Sequence, residues 1–409
     1  LITTRSDNHN HLVFLGLAPF LRKNIAGHDL VPLGQEMLAE LENAATNPNL
    51  WMNLATVMLC LGQRELGLSM QAQALAIQRI YHLRPEQAVQ LRVLLVMTAG
   101  DLAANTPLDC LLENSDIELI YFYVSAPVSL DLDVPDHDVL MVAISEADEN
   151  SEVLASLQLA LSNWPKPVLN APHKITRVER QRAAQLLQQA PGLFVPEVIR
   201  ISRGKLQNIA QAKTSLSQIG SDWKFPLIVR PVGSHAGRDL EKLENAKNLR
   251  AYLVKVANNE FFLSPFIDYS CSDGLFRKYR VALIAGVPFA CHMAVSEHWM
   301  IHYINAGMYN DALKRQEEEA FMLNFPDFAQ RHQAALTVIY ERTQLDYLCI
   351  DCAETQDGQL FVFEIDHAMV VHAMDPEEHF PYKQVYMHKL KQAFRAMLFG
   401  LTGKSTLQV

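Results

Sequence analysis

Between residues 347 and 366 the chain runs Tyr-Leu-Cys-Ile-Asp, turns at Asp357-Gly358, and returns as Leu-Phe-Val-Phe-Glu-Ile-Asp. Asp-Gly between two apolar, β-forming runs predicts a hairpin. Residues two apart on a strand share a face, so Glu364 and Asp366 point the same way. Asp351 closes the neighbouring arm and lies within reach of both. Three carboxylates on one face of an apolar hairpin repel each other and are costly to desolvate. A divalent cation relieves that cost, and hard oxygen donors suit Mg²⁺. Asp351, Glu364 and Asp366 are therefore the expected metal ligands, for Mg²⁺ or for Mn²⁺ in its place. The competing reading, a solvent-facing acidic hairpin, sits poorly with such apolar neighbours.

Two earlier segments fit a phosphate-binding partner for that metal. Phe225-Pro-Leu-Ile-Val-Arg-Pro-Val-Gly-Ser-His-Ala-Gly237 reads as an apolar strand that delivers Arg230 and enters a glycine-bearing turn. The amides of Gly233, Ser234, His235 and Gly237 can approach an anion closely, and Arg230 is placed to neutralise it. Alone, this is also an ordinary strand and turn with a surface arginine. Phe261-Phe-Leu-Ser-Pro-Phe-Ile-Asp268 is short, apolar and broken by proline. It suits a hinge whose Ser264, Phe266 and Ile267 would read and sandwich a purine ring, although such segments are more often core.

As an ordered set these residues resemble the ATP-grasp superfamily, which includes D-alanine–D-alanine ligase, glutathione synthetase and the glutamate ligases that modify a ribosomal protein. The family pattern has a basic strand residue before a Gly-rich loop, an adenine-binding hinge, and Asp…Glu-x-Asn for two Mg²⁺. Here Asp351 is followed by Glu364 thirteen residues on, then Asp366. The resemblance covers residues 90–400. It implies that Asp268 or Asp273 holds the ribose hydroxyls, that Arg280 is the arginine after the hinge, and that Asn305-Ala-Gly307 is the Asn-containing loop. Arg280, Asn305 and Arg230 would then be the catalytic residues.

Arg230 stands where the family usually has Lys. Arg180 or Arg182 stands near its other phosphate-binding Lys, and Asp366 replaces an Asn. The stretch Asp366-His-Ala-Met-Val-Val-His372 departs from the family's small-residue loop, so the acceptor substrate cannot be carried over. The function implied is ATP-dependent carboxylate–amine ligation through an acylphosphate, acting on an amino acid or peptide. The alternatives are a small-molecule kinase of the same superfamily, or a catalytically decayed nucleotide-binding scaffold that docks a partner.

Residues 13–88 read as helical, with apolar positions at helical spacing punctuated by Asn-Pro-Asn at 47–49 and Gly62-Gln63. The stretch from Leu50 to Leu75 loosely resembles one tetratricopeptide hairpin, whereas a solenoid usually needs three. These helices are expected to recognise a peptide or protein partner or to fix a homo-oligomer. From residue 91, β runs at Leu91–Met97, Ile117–Val124, Val139–Ile144 and 168–170 alternate with helical segments such as Ser151–Ser162. That order predicts a small parallel sheet. After residue 173 comes a helix, Arg177–Gln189, followed by mixed α+β with antiparallel strands. The expected fold class is thus α/β and α+β, multidomain: a helical domain at 1–88, a pre-grasp α/β domain at 89–172 and a two-lobed ATP-grasp domain at 173–409.

A net charge of -10 argues against a general nucleic-acid footprint. No apolar run reaches the ~18 residues of a membrane span, and six cysteines make no disulfide framework. A cytoplasmic protein with no membrane partner is expected. Cys349 and Cys352 read as packing residues on opposite strand faces rather than a metal pair.

Overall fold

The computed structural model describes residues 10–130, 134–220, 223–234 and 237–404, the side chain of Ile304 aside. In chain order the helices are α1 (Ala18–Ile25), α2 (Val31–Ala44), α3 (Pro48–Cys60), α4 (Arg64–Ile77), α5 (Leu108–Leu111), α6 (Ser151–Ala160), α7 (Pro172–Ile175), α8 (Arg180–Leu187), α9 (Arg203–Ala210), α10 (Ala246–Lys255), α11 (Ala312–Leu323), α12 (Phe325–Arg331), α13 (Gln333–Thr343) and α14 (Lys383–Thr402). The strands are β1 (Ile80–Leu83), β2 (Leu91–Met97), β3 (Ile117–Tyr123), β4 (Val139–Val142), β5 (Val168–Leu169), β6 (Leu193–Phe194), β7 (Ile199–Ser202), β8 (Leu227–Pro231), β9 (Glu241–Leu243), β10 (Glu260–Pro265), β11 (Phe276–Ile284), β12 (Val287–Ser296), β13 (Tyr347–Glu354) and β14 (Leu360–Asp366). Two compact units result. One takes in the described residues up to Ser145, Glu149–His173 and His367 onward; the other holds Glu146–Asp148 and Lys174–Asp366.

In the first unit the start of α3 is written locally. Asn47 accepts hydrogen bonds from the amides of Asn49 and Leu50, and Pro48 opens α3. Gly62, at φ +73°, ends the turn into α4. Leu30, Met37, Leu50, Leu54 and Val57 form the helical core. The sheet has the order β1-β3-β2-β4-β5, with β2, β3, β4 and β5 parallel as expected. β3 is buried along its whole length, as a parallel strand covered on both faces should be.

Three expectations need correcting. Residues 80–83 are not helical: Ile80–Leu83 pairs antiparallel with β3, because that edge would otherwise leave its backbone groups unpaired. The helix expected at Arg177–Gln189 is broken at Glu179, whose carboxylate accepts from the amides of Gln181 and Arg182 and starts α8 afresh. The chain after Asp366 groups with the first unit rather than with residues 174–366. Its α14 is pinned there by the two-pronged Arg395–Asp116 pair, at 2.8 and 2.6 Å.

The second unit carries two sheets. The smaller has the order β7-β10-β8-β9, all antiparallel. One face buries Leu227, Val229, Phe261 and Leu263 against Leu206, Leu249 and Tyr252. Alternation turns Ile228, Arg230, Phe262, Ser264 and Lys242 to the opposite face. The larger sheet has the order β12-β11-β13-β14-β6 and is antiparallel except for the β14–β6 pair. Buried Val281, Leu283 and Ile350 line one side of it, with Leu336 and Ile339 of α13 also buried.

Candidate functional site

The predicted hairpin forms as β13 and β14, with Asp351 directly opposite Glu364 and Cys349 opposite Asp366. A bulge between Asp351 and Cys352 separates this acidic end from the apolar one. On the other side of β13, Arg280 of β11 is the register partner of Asp351. Asp351, Glu364 and Asp366 therefore share a face.

What the sequence did not predict is the company they keep. Arg280 grips Asp351 with two prongs, Nε to Oδ1 at 2.7 Å and Nη2 to Oδ2 at 3.0 Å. Lys278, two residues back on the same strand, reaches Oδ2 at 2.6 Å. Arg180 of α8 donates from Nη2 to Glu364 Oε1 at 2.6 Å and from Nη1 to the Phe363 carbonyl at 3.1 Å. The expected self-repelling acidic trio is thus corrected: cations already compensate Asp351 and Glu364. Nor are the three carboxylates gathered at ligand spacing. Among the described residues, the set of three metal-binding groups within 4.8 Å of one another is His11, Glu36 and Glu40.

The ionisation follows from this geometry. Burial opposes the charge on Asp351, which is 2% exposed, but Arg280 and Lys278 override it and hold the carboxyl well below the usual range. Glu364 is also lowered: desolvation opposes ionisation, and Arg180 and Arg230 outweigh it. Burial and then the neighbouring charge of Arg180 push Arg230 down to about 10, with only partial relief from Glu364. Arg230 remains a cation at neutral pH. Its Nε donates to Ser234 Oγ at 3.2 Å and its Nη2 to the Ser234 carbonyl, so it clasps the glycine-bearing turn it precedes. Gly233 and Gly237 sit at φ +74° and +72°, where a side chain would be strained. A Cβ on Gly233 would meet nothing within 4 Å, so backbone conformation and not space calls for glycine there. His235 lies outside the described residues.

The hinge segment ends β10. Ser264 faces Ile228, which in turn faces Lys242. Lys242, absent from the expectations, places Nζ 3.9 Å over the Phe266 ring. Phe266 also meets Trp299 edge-on at 5.7 Å, and Ile267 packs against the buried cluster of Tyr269, Ala353 and Phe361. Asp268 is exposed and accepts from the Ser270 amide at 3.0 Å. Asp273 is paired with Arg277 at 2.8 Å in a neighbouring turn. Asn305 is committed elsewhere: its Oδ1 accepts from the His302 amide at 2.9 Å in a capping box. Arg182 is exposed and bonds the Thr176 carbonyl, so of the two candidate arginines it is Arg180 that meets the carboxylates.

No protein-family model matches the sequence, and no curated protein matches it. Solved structures do. The D-alanine–D-alanine ligase of Bacillus anthracis complexed with ATP is 14% identical, with 76% of this chain and 96% of that one covered at a TM-score of 0.46. A RimK domain ATP-grasp protein of Sphaerobacter thermophilus is 14% identical over 76% and 99%, at 0.45. The ATP-grasp ligase PsnB, complexed with a phosphomimetic variant of its minimal precursor, Mg and ADP, is 13% identical over 76% and 99%, at 0.42. The chain is similar to ATP-grasp ligases.

For Mg²⁺, the donor type fits: Glu364 and Asp366 supply carboxylate oxygens on one strand face. Asp351 fits less well as it stands, because Arg280 and Lys278 occupy both of its oxygens.

Proposed function

We propose that the chain is an ATP-dependent carboxylate–amine ligase that works through an acylphosphate and releases ADP and phosphate. The observation that carries this reading is the pair of guanidiniums, Arg180 and Arg230, served by one carboxylate, Glu364. A fully compensated surface pair would have no use for another anion. Here burial and mutual repulsion leave positive charge beside a glycine-bearing turn, which is how a polyphosphate is received.

In this reading the adenine lies against Ser264, Phe266 and Ile267, with Asp268 toward the ribose. Asp273, tied to Arg277, is the weaker ribose candidate. Arg230 turns from Ser234 to the phosphates, and the amides of Gly233, Ser234 and Gly237 follow it. Arg280 and Lys278 exchange Asp351 for the transferring phosphoryl group. Glu364 and Asp366, joined by Asp351 once its cations turn away, would hold Mg²⁺, which would supply neutralising charge to the polyphosphate. A substrate carboxylate oxygen then bonds to the γ-phosphorus as the bond to ADP breaks. An amine bonds to the acyl carbon, phosphate leaves with the former acyl–oxygen bond's electrons, and the amine's proton passes to solvent. The helices α1–α4 are assigned to a peptide or protein partner or to self-association. The six unpaired cysteines accord with a cytoplasmic location.

One observation favours a second reading. A carboxylate already held by a guanidinium and an ammonium is a poor metal ligand, as expected of a scaffold that binds nucleotide without turning it over. Screening amino acids and short peptides for ADP and phosphate release that needs both an acid and an amine separates the readings. ADP without free phosphate would mean a kinase; ATP binding with neither product would mean the scaffold.

A further inference from the structure

A second cluster lies far from this chemistry in sequence, and in the other compact unit. Glu36 and Glu40 are four apart on α2, so they project from one helix face. His11, from the segment before α1, reaches them: its Nδ1 is 3.2 Å from Glu40 Oε1. One ligand atom from each of His11, Glu36 and Glu40 lies within 4.8 Å of the other two.

Two independent features separate this cluster from a chance surface ion pair. First, His11 is only 6% exposed and its backbone is strapped in place. The fully buried Asn53 donates from Nδ2 to the carbonyls of His11 at 3.0 Å and Val13 at 2.7 Å, and accepts from the Leu15 amide at 3.0 Å. Asn47 and Asn49 both donate to the Leu12 carbonyl at 3.1 Å. Three asparagines at the start of α3 therefore hold the histidine over α2. Second, Glu40 Oε2 is shielded from solvent and has no hydrogen-bond partner among the described residues. A covered carboxylate oxygen without a donor is costly, and a cation is what relieves it.

We propose that His11, Glu36 and Glu40 form a divalent-metal site of first-row transition character, with Zn²⁺ the fitting ion. An imidazole with two carboxylates is a donor set that zinc accepts, whereas Mg²⁺ prefers oxygen ligands and retained water. Three protein ligands leave further positions to water. A bound ion ties the segment before α1 to α2. The assignment is independent of the nucleotide reading, since no residue is shared.

Equilibrium titration of the full chain with ZnCl₂ against a chromophoric chelator, in excess Mg²⁺ to occupy oxygen-only sites, tests this. The wild type should bind one more equivalent of Zn²⁺ than Glu36→Gln, Glu40→Gln or His11→Ala. Its folded-to-unfolded ratio should rise about 100-fold at a hundredfold excess over Kd, with no such rise in the variants. Glu36 is exposed, so Glu36→Gln keeps the fold and decides the matter even where His11→Ala unfolds. Equal stoichiometry and equal stabilisation in wild type and Glu36→Gln would overturn the proposal; zinc held by other histidines or cysteines gives that outcome.

Discussion

Asp351 and Asp109 are both 2% exposed aspartates, one in each compact unit, and they are held in opposite ways. Asp351 faces the side chains of Arg280 and Lys278. Asp109 faces backbone: its Oδ2 accepts from the amides of Leu17 at 2.6 Å and Ala18 at 2.8 Å, capping α1 from ninety-one residues away. Full opposite charges drive the Asp351 pKa down against burial. Amide dipoles only soften burial at Asp109, whose pKa is raised. On the proposed function, the contrast separates machinery from scaffold. Side-chain cations can rotate to a ligand, whereas helix-end amides cannot leave without unravelling α1.

The largest expected effect is at Asp351. Asp351→Asn strands two poorly hydrated cations, and breaking such a buried cluster costs about 3–5 kcal/mol. This reverses what a self-repelling acidic trio would do, namely gain stability on neutralisation. Chemical denaturation reads the sign directly: an unchanged or higher midpoint would show that the clasp contributes nothing. Turnover of any ligase substrate should also be lost.

Asp109→Ala should cost about 2–3 kcal/mol by freeing two amides and opening a gap, with ATP affinity unchanged. A matching loss of ATP affinity would erase the distinction between scaffold and machinery.

Acid and alkaline limbs sharpen the comparison further. Asp351 is depressed in the folded state, so its contribution is present above its unfolded pKa of about 3.9 and is lost as pH falls below that toward the folded value. Asp109 is raised, so its contribution is present below about 3.9 and is lost as pH rises through the folded value. Subtracting the Asn variant from wild type across a pH series of unfolding curves should therefore yield slopes of opposite sign. Slopes of one sign would mean that the two sites do not differ in kind.

Arg230→Ala should weaken ATP binding about tenfold, at roughly 1.4 kcal/mol for one charged contact, and Arg230→Lys should restore part of it. Calorimetry that finds equal affinity in all three proteins would leave Arg230 as a clasp for its own turn. Comparable in size is Gly16→Ala. Gly16 sits at φ +73°, and a Cβ there would stand 2.7 Å from Asp109 Oδ2. A loss of about 1–2 kcal/mol is expected from the left-handed conformation, and more if Asp109 is also displaced.

Much of the frame was legible because it is local. Alternation marked β13 and β14 and set Glu364 beside Asp366. The apolar runs at 91–97, 117–123 and 139–142 became parallel strands, and Asn47-Pro48 marked a helix start. The expected boundary at residue 88 rests on such local signals, yet a cut there would strip β1 from the edge of β3 and remove the helix that Asp109 caps. Neither partner is visible in a local pattern: Ile80–Leu83 is too short to declare its period, and a capping residue normally sits beside its helix.

From the sequence alone came the hairpin, most of the order of strands and helices, and the shared face of Glu364 and Asp366. All of these rest on spacings of two to four residues, which backbone geometry imposes wherever the segment lies. Only the tertiary structure decided which charges meet. Arg280 and Asp351 are seventy-one residues apart, and Arg180 and Glu364 a hundred and eighty-four. Their pairing depends on sheet register and on where α8 packs, neither of which a local pattern encodes.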